Sequence, residues 1–164
     1  MTTLDTLTDP AEPTRRSLLA LAACAPLPWI LPAMARTQAE PAVCTYGGLA
    51  IGGHDPVTYF TAGVPEEGNS DYALKWRGAL WLFVSEASMD HFTRTPHAFA
   101  PRYGGYCAMS MADGHLIPGD PQVWEIDETH LYLFANTSER DAWRADVKGN
   151  ISRADVSWPS ILKV

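Results

Sequence analysis

The chain has 164 residues, 46% of them hydrophobic and 19% charged, with a formal net charge of −7. That composition fits one ordinary globular domain. An acidic balance without a Lys/Arg stripe excludes the electrostatic footprint of a nucleic-acid partner and any attraction to anionic lipid heads.

In chain order, Thr14-Arg15-Arg16-Ser17-Leu18-Leu19 opens an apolar run that reaches Ala33-Met34-Ala35. A basic pair, an apolar stretch and an Ala-x-Ala site in that order read as a twin-arginine signal peptide over residues 1–35, cleaved after Ala35. Pro26, Pro28 and Pro32 interrupt the run, which falls short of the roughly 20 apolar residues a spanning helix needs. The mature form is therefore expected to carry no integral membrane span and to be periplasmic. An alternative is processing as a lipoprotein, since Leu21-Ala22-Ala23-Cys24 has the form of a lipobox and would leave the chain lipid-anchored at Cys24.

Residues 36–46 lack periodicity and read as a linker to a domain over 47–164. Asp55 is placed to cap a short turn with Pro56 at its first position. Two hairpins are predicted: Tyr72–Trp76 with Leu80–Val84, and Val123–Ile126 with Leu131–Phe134. Between them, Ser85 starts a helix that Pro96 interrupts, and Cys107–Met111 is read as a strand ending at the Asp113-Gly114 turn. A last helix begins near Thr137-Ser138 and ends at Gly149-Asn150, with a short helical stretch over 151–155. This order gives an α+β fold, a small mainly antiparallel sheet of two hairpins with packed helices.

Several ordered motifs resemble the exported YHS-domain proteins: Gly53-His54-Asp55-Pro56-Val57-Thr58-Tyr59-Phe60, Trp81-Leu82-Phe83-Val84-Ser85, Ala100-Pro101-Arg102-Tyr103-Gly104-Gly105-Tyr106-Cys107-Ala108, and Gly149-Asn150-Ile151 with Trp158-Pro159. The resemblance spans about residues 47–162. It implies a YHS-like fold and a link to metals, because related YHS domains occur beside copper-transporting ATPases and in some multicomponent hydroxylases. The metal-binding relatives show Asp-Pro-Val-Cys and Phe-Cys-Ser-x-x-Cys, but the matching positions here are Thr58, Val84 and Ala87. That thiolate site is not carried over.

The residues suggest another set. On a strand, Cys107, Met109 and Met111 would share one face about 6–7 Å apart. Their soft sulfurs suit Cu(I), making copper a candidate cofactor, with His115 folding back as an imidazole ligand and His54, His91 or His97 adding another. The same three side chains also suit an apolar core. A second reading makes Cys107 a thiol nucleophile with His115 as base and Asp113 or Asp120 orienting it. A third makes the domain a module for a periplasmic protein partner, displaying Tyr103, Tyr106 and Trp124. Cys44 and Cys107 would form a disulfide only if their Cα atoms lay within about 7 Å. Asp55, Asp120 and Glu125 read as caps and solvated charges.

Overall fold

In the computed structural model, the structure describes residues 41–163. The expected signal peptide over residues 1–35, with its Arg15-Arg16 pair and Cys24, lies outside the described residues. Among the described residues no helix is long and apolar enough to cross a membrane.

The fold is α+β. Strands β1 (Thr45–Tyr46), β2 (Leu49–Ala50), β3 (Asn69–Trp76) and β4 (Ala79–Phe83) form a mixed sheet in the order β1-β2-β4-β3. β2 and β4 run parallel, Leu49 beside Leu80, while the other pairs are antiparallel. Strands β5 (Asp120–Asp127) and β6 (His130–Phe134) make a separate hairpin. Among the described residues six α-helices pack around them: α1 (Thr58–Thr61), α2 (Glu86–Arg94), α3 (Pro96–Phe99), α4 (Ala108–Ala112), α5 (Thr137–Ala145) and α6 (Val147–Ser157). Both long hairpins and the helix after Ser85 thus form where the sequence places them.

Alternation along β6 organises the interior. Leu131 and Leu133 join a cluster with Trp81, Phe83 and Phe92 under the mixed sheet. Tyr132 and Phe134 join a second cluster with Cys107, Met111 and Trp143 under α4 to α6. Successive strand residues face opposite ways, so a run of four apolar residues with no polar interruption is what a strand buried on both faces requires. Each such side chain stabilises the fold by about 1.5–3 kcal/mol.

Three readings change. Cys107–Met111 is not a strand: Cys107 is the N-cap of α4, its sulfur accepting the Ser110 N–H at 3.5 Å. Cysteine and methionine at i, i+2 and i+4 satisfy a period of two, but i and i+4 also stack on a helix. The last helix does not end at Gly149-Asn150. α5 stops at Ala145, and Asp146 then caps α6 by accepting the Gly149 N–H at 3.1 Å. A Cβ at Gly149 would stand 2.1 Å from that capping carboxylate, so glycine there marks a helix start. Asn150 is buried inside α6 and donates to the Trp143 carbonyl at 2.9 Å, tying the two helices. Finally, the described end of the expected linker is packed into the domain: Val43 and Cys44 are buried.

Asp55 is no solvated charge. It is fully buried, and its Oδ1 accepts the Val57 N–H at 2.8 Å. Its Oδ2 accepts the Val84 N–H at 2.9 Å and the Ser88 hydroxyl. One carboxylate therefore joins the α1 turn, the end of β4 and the first turn of α2. Asp55→Ala leaves these donors buried without an acceptor, at about 1–3 kcal/mol per orphaned group. A chemical-denaturation midpoint should accordingly shift by at least about 3 kcal/mol in unfolding free energy, and a shift under about 1 kcal/mol would remove Asp55 from this joining role.

Candidate functional site

The sulfur set is core packing rather than an open face. Cys107 and Met111 are 0% exposed, i and i+4 on α4, with Met109 on another side of that helix and only partly buried. The strand face on which copper was to sit does not form. His115 is exposed and borders a shallow cleft of about 570 Å³ shared with Cys44 and Tyr106. His54 is occupied: its Nδ1 is 3.1 Å from the Ile51 carbonyl and its Nε2 is 3.0 Å from the Gln122 amide. One neutral tautomer, Nδ1–H donating and Nε2 accepting, satisfies both contacts. Exposed His91 lies on α2 and exposed His97 on α3. Among the described residues no three His, Cys, Asp or Glu side chains are grouped so that they could hold a metal ion. Cys107, Met109, Met111, His115 and His54 thus lack the single strand face on which the Cu(I) reading assembled them.

The nucleophile reading meets the same obstacle, because a sulfur sealed in the core cannot reach a substrate. Cys44 and Cys107 are both free thiols in one core cluster, with no disulfide between them. Cys44 is only 5% exposed, and burial pushes its thiol above the ordinary value against a backbone hydrogen bond from Gly119. Nor do Tyr103 and Tyr106 display an aromatic patch: both are buried, and Trp124 is half-buried with its ring edge-on to Tyr59 at 5.4 Å.

A different group of residues converges. A cleft of about 290 Å³ opens between the β3–β4 hairpin, the 3-10 turn Arg102–Gly105, the start of β6 and Trp158. Trp76, Trp81, Tyr103 and Trp158 supply its rings, and Arg77, Arg102, His97 and His130 its nitrogen groups. Trp81 forms the floor, almost fully buried, its indole N–H donating to the Trp76 carbonyl at 3.0 Å. Trp76 stands edge-on to Trp81, Phe92 and His97 at centroid separations of 5.6, 5.5 and 5.3 Å. These contacts fix the ring.

The 3-10 turn is held from both ends of the described residues. Arg102 Nη2 and the Tyr103 hydroxyl donate to the same oxygen of Asp155 on α6, at 3.0 and 3.1 Å. On the other side the Gly104 carbonyl accepts the Cys44 N–H at 2.9 Å. Gly104 has φ +64°, and a Cβ there would stand 2.1 Å from the Ala42 carbonyl oxygen. Only glycine lets residues 42–44 lie across the turn and form the cleft wall.

Sequence reasoning passed over Trp76, Arg77, His97, Arg102, His130 and Trp158 as a group, since they come from five separate segments. One local signal was present. The two-residue β3–β4 turn is Arg77-Gly78, both at positive φ, +49° and +83°. Such a turn calls for Asn-Gly or Asp-Gly, and an arginine there is out of place.

Compared with known proteins, the chain matches no family model, no curated protein and no solved structure.

Three outcomes check this arrangement. Cys44 and Cys107 should react with iodoacetamide more slowly than free cysteine at neutral pH, and Cys107→Ala should compete for Cu(I) against a chromogenic chelator as well as wild type; a tenfold loss in that variant would restore Cys107 as a ligand. Burial raises the phenols of Tyr59 and Tyr103 above their ordinary value of 10, Asp120 adding to it for Tyr59 and Asp155 for Tyr103. The unfolded chain then releases those protons first, so their contribution is full below pH 10 and is lost as the pH climbs toward the folded values. Urea midpoints should fall steadily above pH 10, more steeply than in Tyr103→Phe.

Proposed function

We propose that this chain is an exported YHS-like domain that acts by reversible binding, with the cleft between Trp76, Arg77, Arg102 and Trp158 as its working surface. The observation that carries the reading is the composition of that cleft. Among the described residues its lining combines rigid rings with guanidinium and imidazole groups but no Cys, Ser, Thr, Asp, Glu or Lys. Pockets that bind small molecules pair apolar and aromatic walls with a few placed polar groups, whereas covalent catalysis needs a nucleophile within reach of a base. Export rests on the order of Arg15-Arg16, apolar run and Ala33-Met34-Ala35. The periplasm is the address this order specifies.

Copper handling through Cys107 is the weaker reading. It requires α4 to open and expose a sulfur that is now sealed beside Met111.

Ala100 borders the cleft and is half-buried, so Ala100→Trp fills the space from its rim. Wild type and this variant, each incubated with periplasmic extract and washed, should differ in the small molecules released on denaturation and read by mass spectrometry. A compound retained by wild type and lost at least fivefold in Ala100→Trp, with thermal midpoints within a few degrees, is the expected result. Identical patterns from the two folded proteins would sink the cleft as a binding surface. Separately, replacing Arg15 and Arg16 with lysines should leave an uncleaved precursor in the cytoplasm.

A further inference from the structure

We infer that the cleft selects a small organic anion with a flat aromatic body, an aryl carboxylate in chemical class, with Arg77 as the residue that reads its charge. The inference rests on the cleft being a binding surface and goes on to name what it binds. Three independent features point the same way.

The first is charge. The chain as a whole is acidic, at −7, yet among the described residues the cleft lining holds two guanidinium and two imidazole side chains and no carboxylate, the Asp155 carboxylate being hydrogen-bonded to its Arg102 and Tyr103. A cationic recess in an anionic molecule focuses a local field that favours an anion there and disfavours a cation.

The second is availability. Arg102 is already committed to Asp155. Arg77 makes no ion pair among the described residues; its guanidinium carbon sits 5.5 Å from the centroid of the Trp76 ring. Stacking on an indole holds the planar fork without consuming its N–H donors, which remain free for the two oxygens of a carboxylate. The Trp76 ring, fixed by Trp81, Phe92 and His97, sets the orientation of the fork in advance.

The third is backbone cost. Arg77 stands at φ +49° in the first position of its turn, where a side chain with a Cβ is strained and Asn or Gly is not. Residues kept in such conformations cluster where the side chain has a task. Glu128 holds a comparable φ of +53° in the second hairpin, so strain alone marks no site. At Arg77 it coincides with a free cation at the mouth of an aromatic cleft.

The size supports a compact ligand. A volume near 290 Å³ lies at the lower end of pockets that enclose small molecules. Trp76 and Trp158, both half-buried in the lining, leave aromatic surface for a planar ring.

The turn itself supplies a clean variant. Arg77→Asn places the residue that this turn prefers, so the hairpin keeps or gains stability while the guanidinium disappears. Benzoate and naphthoate, with benzamide and naphthamide as uncharged counterparts, would be titrated into the full chain. The readout is the indole N–H resonances of Trp76, Trp81 and Trp158 in two-dimensional NMR, with calorimetry for affinity. The carboxylates should bind at least tenfold tighter than the amides, Arg77→Asn should remove most of that preference while leaving amide binding within twofold, and its thermal midpoint should not fall. Equal binding of acid and amide, or a preference unchanged in Arg77→Asn, would overturn the anion assignment and leave the cleft as a neutral site. No shift of those indoles with any of the four compounds would overturn this inference, while the extract experiment with Ala100→Trp still decides the wider binding role.

Discussion

The two-sided burial of β6 is the constraint on which the rest of the structure depends. Leu131 and Leu133 are roof to one cluster, Tyr132 and Phe134 floor to the other, so neither cluster closes without this strand. Because a one-residue slip would exchange the faces and put a tyrosine where a leucine packs, the register against β5 is strongly specified. Four paired positions from Trp124/Leu133 to Asp127/His130 hold it. His130 opens this strand and borders the cleft, which ties the position of one cleft residue to the most restrained element of the fold.

Asp55 has an analogous part in polar chemistry. Burying a carboxylate is costly unless its oxygens are used, and here three donors from three segments use them. The end of β4 is thereby set relative to α2, whose Phe92 packs against both Trp76 and Trp81. The position of the cleft floor follows from a hydrogen-bond hub on a loop that does not line it.

Wherever a single segment carried its own period, the sequence was legible. Both hairpins show it, as does the helix capped by Ser85, whose side chain accepts the Ser88 N–H at 3.2 Å. Legibility failed where one pattern served two geometries, as at Cys107–Met111, and where a tertiary partner gave a residue its meaning, as at Gly149, which makes room for a capping carboxylate. The cleft was the least legible part. Trp76 closes a predicted strand, while Arg102, Tyr103 and Trp158 fall in separate motifs; nothing in their spacing says that they meet. The sulfur residues drew attention because they were adjacent in sequence, and burial turned that adjacency into core packing.

The wall and rim of the cleft come from opposite ends of the described chain. Ala42 and Val43 lie across the Gly104 turn, and Trp158 stands edge-on to Tyr103 at 6.2 Å. Contacts spanning so many residues carry the largest loop-closure cost and tend to be completed late in folding. Partial opening that releases either end would dissolve the recess while β6 and its clusters persist. A ligand bound there would act as a clasp on both ends, making its occupancy and the resistance to fraying two expressions of one equilibrium.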